Sequence, residues 1–260
     1  MKRIFLILIS ASVVISCSKG GGGSAGKPGV KGELVPKGKS KSFVAERPYG
    51  MVAVPAGSYV MGMADQDFTN TPEKALLFLQ EGNQRFVNNL KINRNLLEQV
   101  NDTREGQWPF ATVLSCIDSR TSAELIFDQG LGDIFSIRIA GNFANQDILG
   151  SMEFACNVAG SKLVVVLGHT KCGALKGGLD APQIEGLGMD NLNHLIYHFE
   201  SCIHEIIKEG EERSSKNEDL LDRLTLCNIK KTIEDIRHQS STLRNLEKEG
   251  KIKIVGANYD

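Results

Sequence analysis

The stretch Leu163-Val164-Val165-Val166-Leu167-Gly168-His169-Thr170-Lys171-Cys172-Gly173 joins an unbroken apolar run to a histidine and a cysteine. Unbroken Leu/Val runs are typical of strands that are buried on both faces of a parallel sheet. A second apolar run, Ala111–Ser115, directly precedes Cys116-Ile117-Asp118-Ser119-Arg120. Ligands gather at the carboxyl ends of the strands in such sheets. Two neighbouring parallel strands would therefore bring these two polar clusters together.

The segments around the two runs alternate between strand-like and helix-like patterns, which predicts an α/β fold. We expect a mainly parallel sheet of four strands flanked by helices and joined by right-handed crossovers. A helix should open at Thr71-Pro72, and its predicted apolar face is Ala75, Leu76, Leu79, Phe86, Val87 and Leu90. The other predicted strands are Ile134–Ile139 and Lys251–Ala257, and the other predicted helices are Thr121–Gln129, Asp147–Ala159, Gly173–Leu179, Asn191–Glu209 and, as one or two helices, Leu220–Glu249.

The two polar clusters contain the ligands of a zinc site. Cys116 and Cys172 offer thiolates and His169 offers a neutral nitrogen, and Zn²⁺ prefers both kinds of ligand. Three protein ligands leave a fourth position for water, whose pKa falls to about 7 in catalytic zinc sites. Asp118 could fill that position and close the site. Alternatively, a bidentate pair with Arg120 would hold Asp118 off the metal as a hydrogen-bond acceptor for the bound water.

The alternative to a zinc site is that these residues have separate structural roles, as an inert cysteine, a surface salt bridge and a loop histidine. Each of these features is common by itself. The occurrence of all five residues, Cys116, Asp118, Arg120, His169 and Cys172, at the ends of predicted strands argues against that alternative. The pattern C-x-D-x-R followed by H-x-x-C-G, met by Cys116–Arg120 and His169–Gly173, resembles the β-class carbonic anhydrases. Arg138–Asn142 is similar to the family's R-x-A-[GA]-N stretch, and Leu79–Phe86 is similar to its N-terminal helix.

The resemblance covers roughly residues 72–260 and implies reversible, zinc-dependent hydration of CO2 to bicarbonate, with one Zn²⁺ per chain. It assigns catalysis to Asp118, which would orient the nucleophile, and to Arg120, which would fix Asp118. It also implies a homodimer or a higher homo-oligomer. The substrate-binding residues that it implies are Gln107, Phe135, Ala140, Phe154 and Gly173. Core packing for the two aromatic rings and an exposed loop position for Gln107 are the alternative interpretations.

The N-terminal region has the pattern of a leader. Lys2 and Arg3 precede an apolar run over residues 4–15, which is too short for a comfortable membrane span. The run ends at Cys17 in a sequence that resembles a bacterial lipoprotein cleavage box. We therefore expect a lipoprotein signal peptide over residues 1–17 and an acylated Cys17, with the chain anchored to a membrane of the bacterial cell envelope and facing the periplasm. The alternative is an ordinary signal peptide that contains a cysteine.

Residues 18–71 are predicted to be a flexible tether that includes a partial, unrelated segment. Its first half is rich in Gly, Lys and Ser and has no apolar periodicity. Residues 49–68 resemble the opening of sulfatase-modifying-factor-like gliding-motility lipoproteins, which predicts a fusion near residues 69–72. The carbonic anhydrase-like domain would then occupy 72–260. We expect it to be truncated at its C-terminus, because the family usually continues past the position of Tyr259-Asp260.

Neither the composition nor the net charge indicates a nucleic-acid partner. The chain has 260 residues with 30 basic and 31 acidic side chains, a net charge of −1. Two functions besides CO2 hydration stay open: a related zinc hydrolase acting on CS2 or COS, and a non-catalytic surface lipoprotein. The other cysteines and histidines of the domain that fall in predicted helices are expected to have structural roles. They are Cys156, Cys202, Cys227, His194 and His198.

Overall fold

The fold is taken from a computed structural model that describes residues 71–184 and 188–260. The interpretations of residues 1–17, of Cys17 and of residues 18–70 lie outside the described residues. Four strands form one sheet: β1 (Ala111–Ser115), β2 (Ile134–Arg138), β3 (Leu163–His169) and β4 (Lys253–Tyr259). Their order is β2-β1-β3-β4, and each neighbouring pair is parallel. The predicted four-stranded α/β sheet is thus confirmed.

The central strands are the two apolar runs, and every residue of β1 and β3 is buried. Ser115, the last residue of β1, pairs with Arg138 at the end of β2 and with Leu167 in β3. Strand β3 continues to His169, two residues beyond its predicted end, because it keeps pairing with β4 as far as Tyr259. The carboxyl ends of all four strands therefore meet at one edge of the sheet.

Helices flank the sheet and connect its strands. They are α1 (Pro72–Val87), α2 (Leu96–Asp102), α3 (Ala123–Ile126), α4 (Gln146–Glu153), α5 (Gly173–Leu179), α6 (Ala181–Ile184), α7 (Asp190–Tyr197), α8 (Glu200–Ile206), α9 (Glu218–Gln239) and α10 (Ser241–Lys248). A π-helical segment, Phe154–Val158, continues α4. None of the helices within the described residues is long and apolar enough to cross a membrane.

Two predicted helices are shorter or broken. The helix expected over Thr121–Gln129 is only α3, because the chain leaves helical geometry before Asp128, which has φ +46°. The helix expected over Asn191–Glu209 is interrupted between α7 and α8. Its break is at Phe199, whose N–H bonds to the carbonyl three residues back at Ile196. The ring of Phe199 is completely buried at this break, so packing decides where the helix is interrupted.

The predicted apolar face of α1 is partly wrong. Val87 is 71% exposed and Leu90 is 70% exposed, whereas Ala75, Leu79 and Gly82 are buried. A Cβ on Gly82 would lie 1.8 Å from the carbonyl oxygen of Phe127, so the helix approaches that backbone closely at a glycine. Helix α2 was not predicted, because none of its residues is buried and it presents no apolar stripe.

Buried apolar side chains of the described residues form three clusters. One lies among α5, α7, α8 and α9, and it contains Cys116 and Cys172 together with Phe199 and Cys202. A second surrounds β3, α4 and α10 and includes Met152. A third packs Leu79 of α1 against the sheet. The two predicted ligand cysteines therefore belong to a packed helical layer.

Candidate metal centre

Three side chains that were predicted as ligands meet at the carboxyl edge of the sheet. Cys116 directly follows β1, His169 is the last residue of β3, and Cys172 precedes α5 as its N-cap residue. Their ligand atoms all lie within 4.8 Å of one another. Cys116 is 3% exposed, His169 is 2% exposed and Cys172 is 0% exposed. Within residues 71–184 and 188–260, this is the one such group of three or more His, Cys, Asp or Glu residues.

A tight turn joins the last two ligands. After His169 the chain must reverse within two residues to present Cys172 at the start of α5. Lys171 takes the left-handed conformation at this turn, with φ +55°, which few residues other than glycine adopt. The N–H of Thr170 donates to the carbonyl of Tyr259, which ties the turn to the end of β4.

Cys116 is surrounded by hydrogen-bond donors. Its Sγ lies 3.9 Å from Sγ of Cys172, and the backbone N–H of Gly141 donates to it at 3.4 Å. The thiol of Cys172 is the main cause of a lowered pKa at Cys116, and the Gly141 N–H lowers it further. These donors outweigh the effect of burial, so the pKa of Cys116 lies well below its usual range. Cys116 is therefore a thiolate at neutral pH.

Cys172 keeps its proton when no metal is bound. Its pKa is raised, first because its thiol donates the hydrogen bond to Cys116 and then because it is buried. The backbone amides of Ala174 and Leu175, at the start of α5, act in the opposite direction. The pair thus holds one proton between two sulfurs. A cation that binds both sulfurs would displace that proton.

The orientation of His169 leaves one ring nitrogen available to a ligand. Nδ1 lies 3.0 Å from the backbone carbonyl oxygen of Thr170. Because a carbonyl can only accept, Nδ1 carries the proton in this contact. Nε2 is then a lone-pair nitrogen, and within residues 71–184 and 188–260 it is buried without a hydrogen-bond partner. A carbonyl that fixes the tautomer from behind is the usual arrangement of a metal-binding histidine.

The donor set fits zinc. Two sulfurs and one imidazole nitrogen are the ligands of a Cys₂His catalytic zinc site. Softer thiolate ligands favour Zn²⁺ over Mg²⁺ or Ca²⁺, which take oxygen ligands. The buried Nε2 of His169, which has no hydrogen-bond partner among the described residues, would be satisfied by such an ion. The residues present therefore suit one Zn²⁺ per chain.

Asp118 lies beside the three ligands but is bound to Arg120. Nε of Arg120 donates to Oδ1 of Asp118 at 2.9 Å, and Nη2 donates to Oδ2 at 2.8 Å. The backbone N–H of Arg120 also donates to Oδ1, at 3.0 Å. These hydrogen bonds hold the pKa of Asp118 well below its usual range and raise the pKa of Arg120. Of the two arrangements expected for Asp118, the structure has the one paired with arginine.

Two further side chains fix the loop that carries Cys116 and Asp118. Arg138 donates from Nε to the carbonyl of Cys116 at 2.9 Å and from Nη2 to the carbonyl of Asp118 at 2.5 Å. The hydroxyl of Thr121, a fully buried residue, donates to the same two carbonyls at 3.0 and 2.9 Å. Neither role was predicted. The role of Arg138 could have been predicted from the sequence. Arg138 lies at the end of a predicted strand, and parallel pairing with β1 places the end of that strand beside the loop of Cys116.

The predicted substrate-binding residues occupy different surroundings. Phe135 and Phe154 line a groove of about 1140 Å³ beside β2, with ring centroids 6.4 Å apart. Arg138 lines the same groove, so the groove adjoins the loop of the metal ligands. Gln107 and Gly173 are exposed and Ala140 is half-buried. Substrate binding by these residues stays a prediction.

The other histidines and cysteines that could bind a metal lie in contacts typical of structural residues. His194 and His198 lie with ring centroids 5.5 Å apart, and His198 stacks on Phe143 at 4.0 Å. No third metal-ligand side chain joins them among the described residues. Cys156 is buried in the cluster around β3 and α4, and burial raises its pKa to about 12. It behaves as a small apolar residue, as expected.

Comparisons with known proteins agree with this geometry. Residues 111–260 match the carbonic anhydrase family model. The chain is 32% identical over 189 residues to carbonic anhydrase 2 of Mycobacterium tuberculosis, which covers 72% of this chain and 88% of that protein. Its fold is similar to the β-carbonic anhydrase CafA of Aspergillus fumigatus, with a TM-score of 0.53 and 26% identity over 72% of this chain and 85% of that one. It also resembles a tetrameric β-carbonic anhydrase of Sordaria macrospora, with a TM-score of 0.52 and 18% identity over 72% and 92% of the two chains.

Proposed function

The chain belongs to the β-class carbonic anhydrases, and from this premise we propose that it catalyses the reversible hydration of CO2 to bicarbonate and a proton. One observation carries the proposal. Two sulfurs and an imidazole nitrogen lie within 4.8 Å of one another. Beside them lies the carboxylate of Asp118, and Arg120 donates hydrogen bonds to both of its oxygens. The ligand set and the neighbouring acceptor are the two parts that hydration of CO2 requires.

Cys116, His169 and Cys172 would hold Zn²⁺, which acts as a Lewis acid and makes a hydroxide nucleophile available from water near neutral pH. The protein's own part is to position that nucleophile. A carboxylate offers about four acceptor positions, and Arg120 occupies two on Oδ1 and one on Oδ2. The remaining position on Oδ2 of Asp118 can accept one hydrogen bond from the O–H of the attacking group. This contact would turn a lone pair of the nucleophile toward CO2.

Arg120 keeps Asp118 in the correct protonation state for this role. Because the hydrogen bonds from Arg120 hold the pKa of Asp118 well below its usual range, the carboxylate is ionised at neutral pH. It can then accept but not donate a hydrogen bond. Asp118 therefore favours a ligand that carries hydrogen at this place, such as hydroxide or the OH of bicarbonate.

Stopped-flow measurement of CO2 hydration on the zinc-loaded full chain tests the proposal. Asp118→Asn should lower kcat/KM by at least about 10²-fold, because the amide keeps the shape but changes the hydrogen bonding. Cys172→Ser should abolish both zinc binding and hydration. Asp102→Asn, on the exposed end of α2, is the matched control and should behave as the wild type. Full hydration activity in a metal-free preparation would refute the mechanism.

The same zinc site could act on other linear molecules of similar size. Parallel assays with COS and CS2 separate a hydrolase of these compounds from a carbonic anhydrase. We expect kcat/KM to be highest for CO2, and a higher value for COS or CS2 would assign the site to that substrate. If all three are inert on zinc-loaded protein, the proposed catalysis is rejected and the non-catalytic alternative is favoured.

We also propose that the chain forms a homo-oligomer. Large apolar side chains are exposed on α1, on α2 and on the segment between them, including Val87, Leu90 and Leu97 at 71%, 70% and 78%. Exposed apolar patches of this kind mark protein interaction sites. The solved relative from Sordaria macrospora is named as tetrameric, which supports the proposal. Light scattering after size-exclusion chromatography should give at least a dimer mass, and Leu97→Glu should reduce it.

The place of the protein in the cell is a proposal from the sequence. The basic residues Lys2 and Arg3, the apolar run over residues 4–15 and the cysteine that follows support lipid anchoring at Cys17 in the bacterial envelope. Metabolic labelling with a fatty acid should mark the wild type and not Cys17→Ala. Recovery of the unlabelled wild type in the same fraction as the variant would reject the anchor.

A further inference from the structure

A buried asparagine on α9 contacts the backbone behind the metal ligands. The other buried residues of α9 are leucine, isoleucine and threonine, and Asn228 lies among them at 4% exposed. A buried amide costs free energy unless it is hydrogen-bonded. Nδ2 of Asn228 donates to the backbone carbonyl oxygen of Gly141 at 2.8 Å, although 87 positions separate the two residues. Asn228 therefore connects α9 to a distant piece of backbone.

Gly141 occupies the third position of a tight turn that follows β2. The turn is closed by the N–H of Asn142, which donates to the carbonyl of Ile139 at 3.0 Å. Gly141 has φ +79°, and a type II turn needs about +80° at this position. The central peptide of a type II turn is reversed relative to that of a type I turn. The turn type therefore decides the direction in which the N–H of Gly141 points.

The N–H of Gly141 points at a metal ligand. It donates to Sγ of Cys116 at 3.4 Å. If the central peptide of the turn were reversed, the carbonyl oxygen of Ala140 would take the place of this N–H and the sulfur would lose a donor. Hydrogen bonds to a ligating sulfur tune the metal that it binds. The conformation of this turn therefore affects the ligand strength of Cys116.

Two side chains hold Gly141 in place, and they act differently. The ring of Phe199 lies beside its Cα, where an added Cβ would be 2.3 Å from Cζ. This apolar contact resists a displacement of the Cα but sets no direction for the neighbouring peptide groups. The hydrogen bond from Asn228 is directional, because an amide N–H must point at the carbonyl oxygen that accepts from it. Asn228 is thus the contact that fixes how the backbone is turned.

We propose that Asn228 is a positioning residue of the metal centre: by holding the carbonyl of Gly141 it keeps the N–H of that residue on Sγ of Cys116, and so limits the negative charge that the thiolate donates to the ion. The inference rests on the proposed zinc site and adds a residue that touches neither the ion nor the substrate. Loss of an outer partner of a metal ligand typically weakens metal binding by about 10-fold or more.

Substitution of cobalt(II) for zinc in the full chain, under a reductant, tests the inference. The charge-transfer band from thiolate to cobalt reports on the sulfur itself, and a sulfur that loses a hydrogen bond gives up its electrons more easily. Asn228→Leu has a similar size but no donor, so it should move this band to longer wavelength. It should also weaken zinc binding by about 10-fold in competition with a chromophoric chelator. Asn228→Ala gives the same two readouts if the leucine variant does not fold.

Thr232→Val is the matched control. Thr232 lies one turn beyond Asn228 on the buried side of α9 and is 2% exposed, so this change disturbs the packing of the same helix. It should keep the wild-type band and the wild-type affinity for zinc.

The position of the band decides between positioning and a purely structural role. Weaker zinc binding with a wild-type band in the Asn228 variants would mean a loss of stability alone and would overturn the inference. An equal shift of the band in Thr232→Val would overturn it as well. A wild type that binds neither cobalt nor zinc would reject the proposed zinc site itself, and the inference with it.

Discussion

Replacing Gly141 by alanine should destabilise the protein through a clash behind the metal centre. Gly141 has φ +79°, a conformation that residues with a Cβ adopt only at a cost. A Cβ at this position would lie 2.3 Å from Cζ of Phe199. The backbone cannot move aside easily, because its N–H donates to Sγ of Cys116 and its carbonyl accepts from Nδ2 of Asn228 at 2.8 Å.

The size of the effect follows from two terms. A left-handed conformation costs a non-glycine residue about 1–2 kcal/mol, and an added methyl in a packed core costs about 1–3 kcal/mol. Phe199 cannot retreat, because it is completely buried and also packs against Gly178. The free energy of unfolding should fall by about 2–5 kcal/mol. For a domain of this size, that lowers Tm by about 5–15 °C.

Thermal unfolding of the zinc-loaded full chain, followed by circular dichroism, measures the effect. Gly150→Ala is the matched control, because a Cβ there meets nothing within 4 Å, and it should leave stability unchanged or raise it by about 0.5–1 kcal/mol. Combining Gly141→Ala with Phe199→Leu should relieve the clash but not the backbone cost. The coupling between the two sites should then be about 1–3 kcal/mol. A wild-type Tm for Gly141→Ala, or strict additivity in the double variant, would refute the reasoning.

Three further predictions concern charge and metal. Asp128→Asn should lower stability at pH 7 by about 1–3 kcal/mol, because the buried Asp128 accepts hydrogen bonds from Arg85 and Arg94. Burial acts to raise the pKa of Asp128, but these bonds lower it overall; its stabilisation is present above about pH 4 and is lost as the pH falls through the folded-state pKa. The free energies of unfolding of the two proteins, measured with urea, should therefore converge as the pH falls below about 4. A difference in free energy that stays constant with pH would contradict this. Zinc binding at pH 7 should release between one and two protons per ion, because the two sulfurs share one proton without metal and zinc-bound water, with a pKa of about 7, is partly ionised; calorimetry in buffers of different ionisation enthalpy measures this number, and a value below one would show that both sulfurs are already ionised without metal. Removing zinc with a chelator should lower Tm, because an ion at 1,000 times its Kd stabilises the fold by about 4 kcal/mol, and an unchanged Tm would mean that the ion contributes nothing to folding.

The sheet and the metal ligands could be predicted because both depend on local sequence. The Leu/Val run of β3 and the shorter run of β1 are buried along their whole length, so composition alone was sufficient to indicate them. Cys116 and Cys172 follow these runs within a few residues, and parallel pairing then places them together. The loop between Cys116 and Asp118 could not be predicted in detail, since it depends on Thr121 and on an arginine from another strand.

The interruptions of the helices depend on contacts between distant residues. The break between α7 and α8 occurs where Phe199 enters the space left by Gly141 and Gly178. Residues 191–209 contain a continuous amphipathic pattern, so nothing local indicates the break. The same holds for α1, whose burial follows its close approach to Phe127 at Gly82. Patterns of apolar residues predict that a helix exists better than they predict which side of it is buried.

The register of the strands decides whether the metal centre exists. Ser115 pairs with Leu167, so Cys116 comes one residue after the pairing ends while His169 comes two residues after Leu167. A slip of one residue between β1 and β3 would send each side chain to the opposite face, and the sulfur of Cys116 would leave the imidazole of His169. Arg138 depends on the same register, because it pairs with Ser115 from the other side and bonds to the Cys116 carbonyl. In variants that keep all three ligands, zinc binding therefore reports on strand alignment, and any such variant that folds with the sheet intact but shifted should have lost the ion.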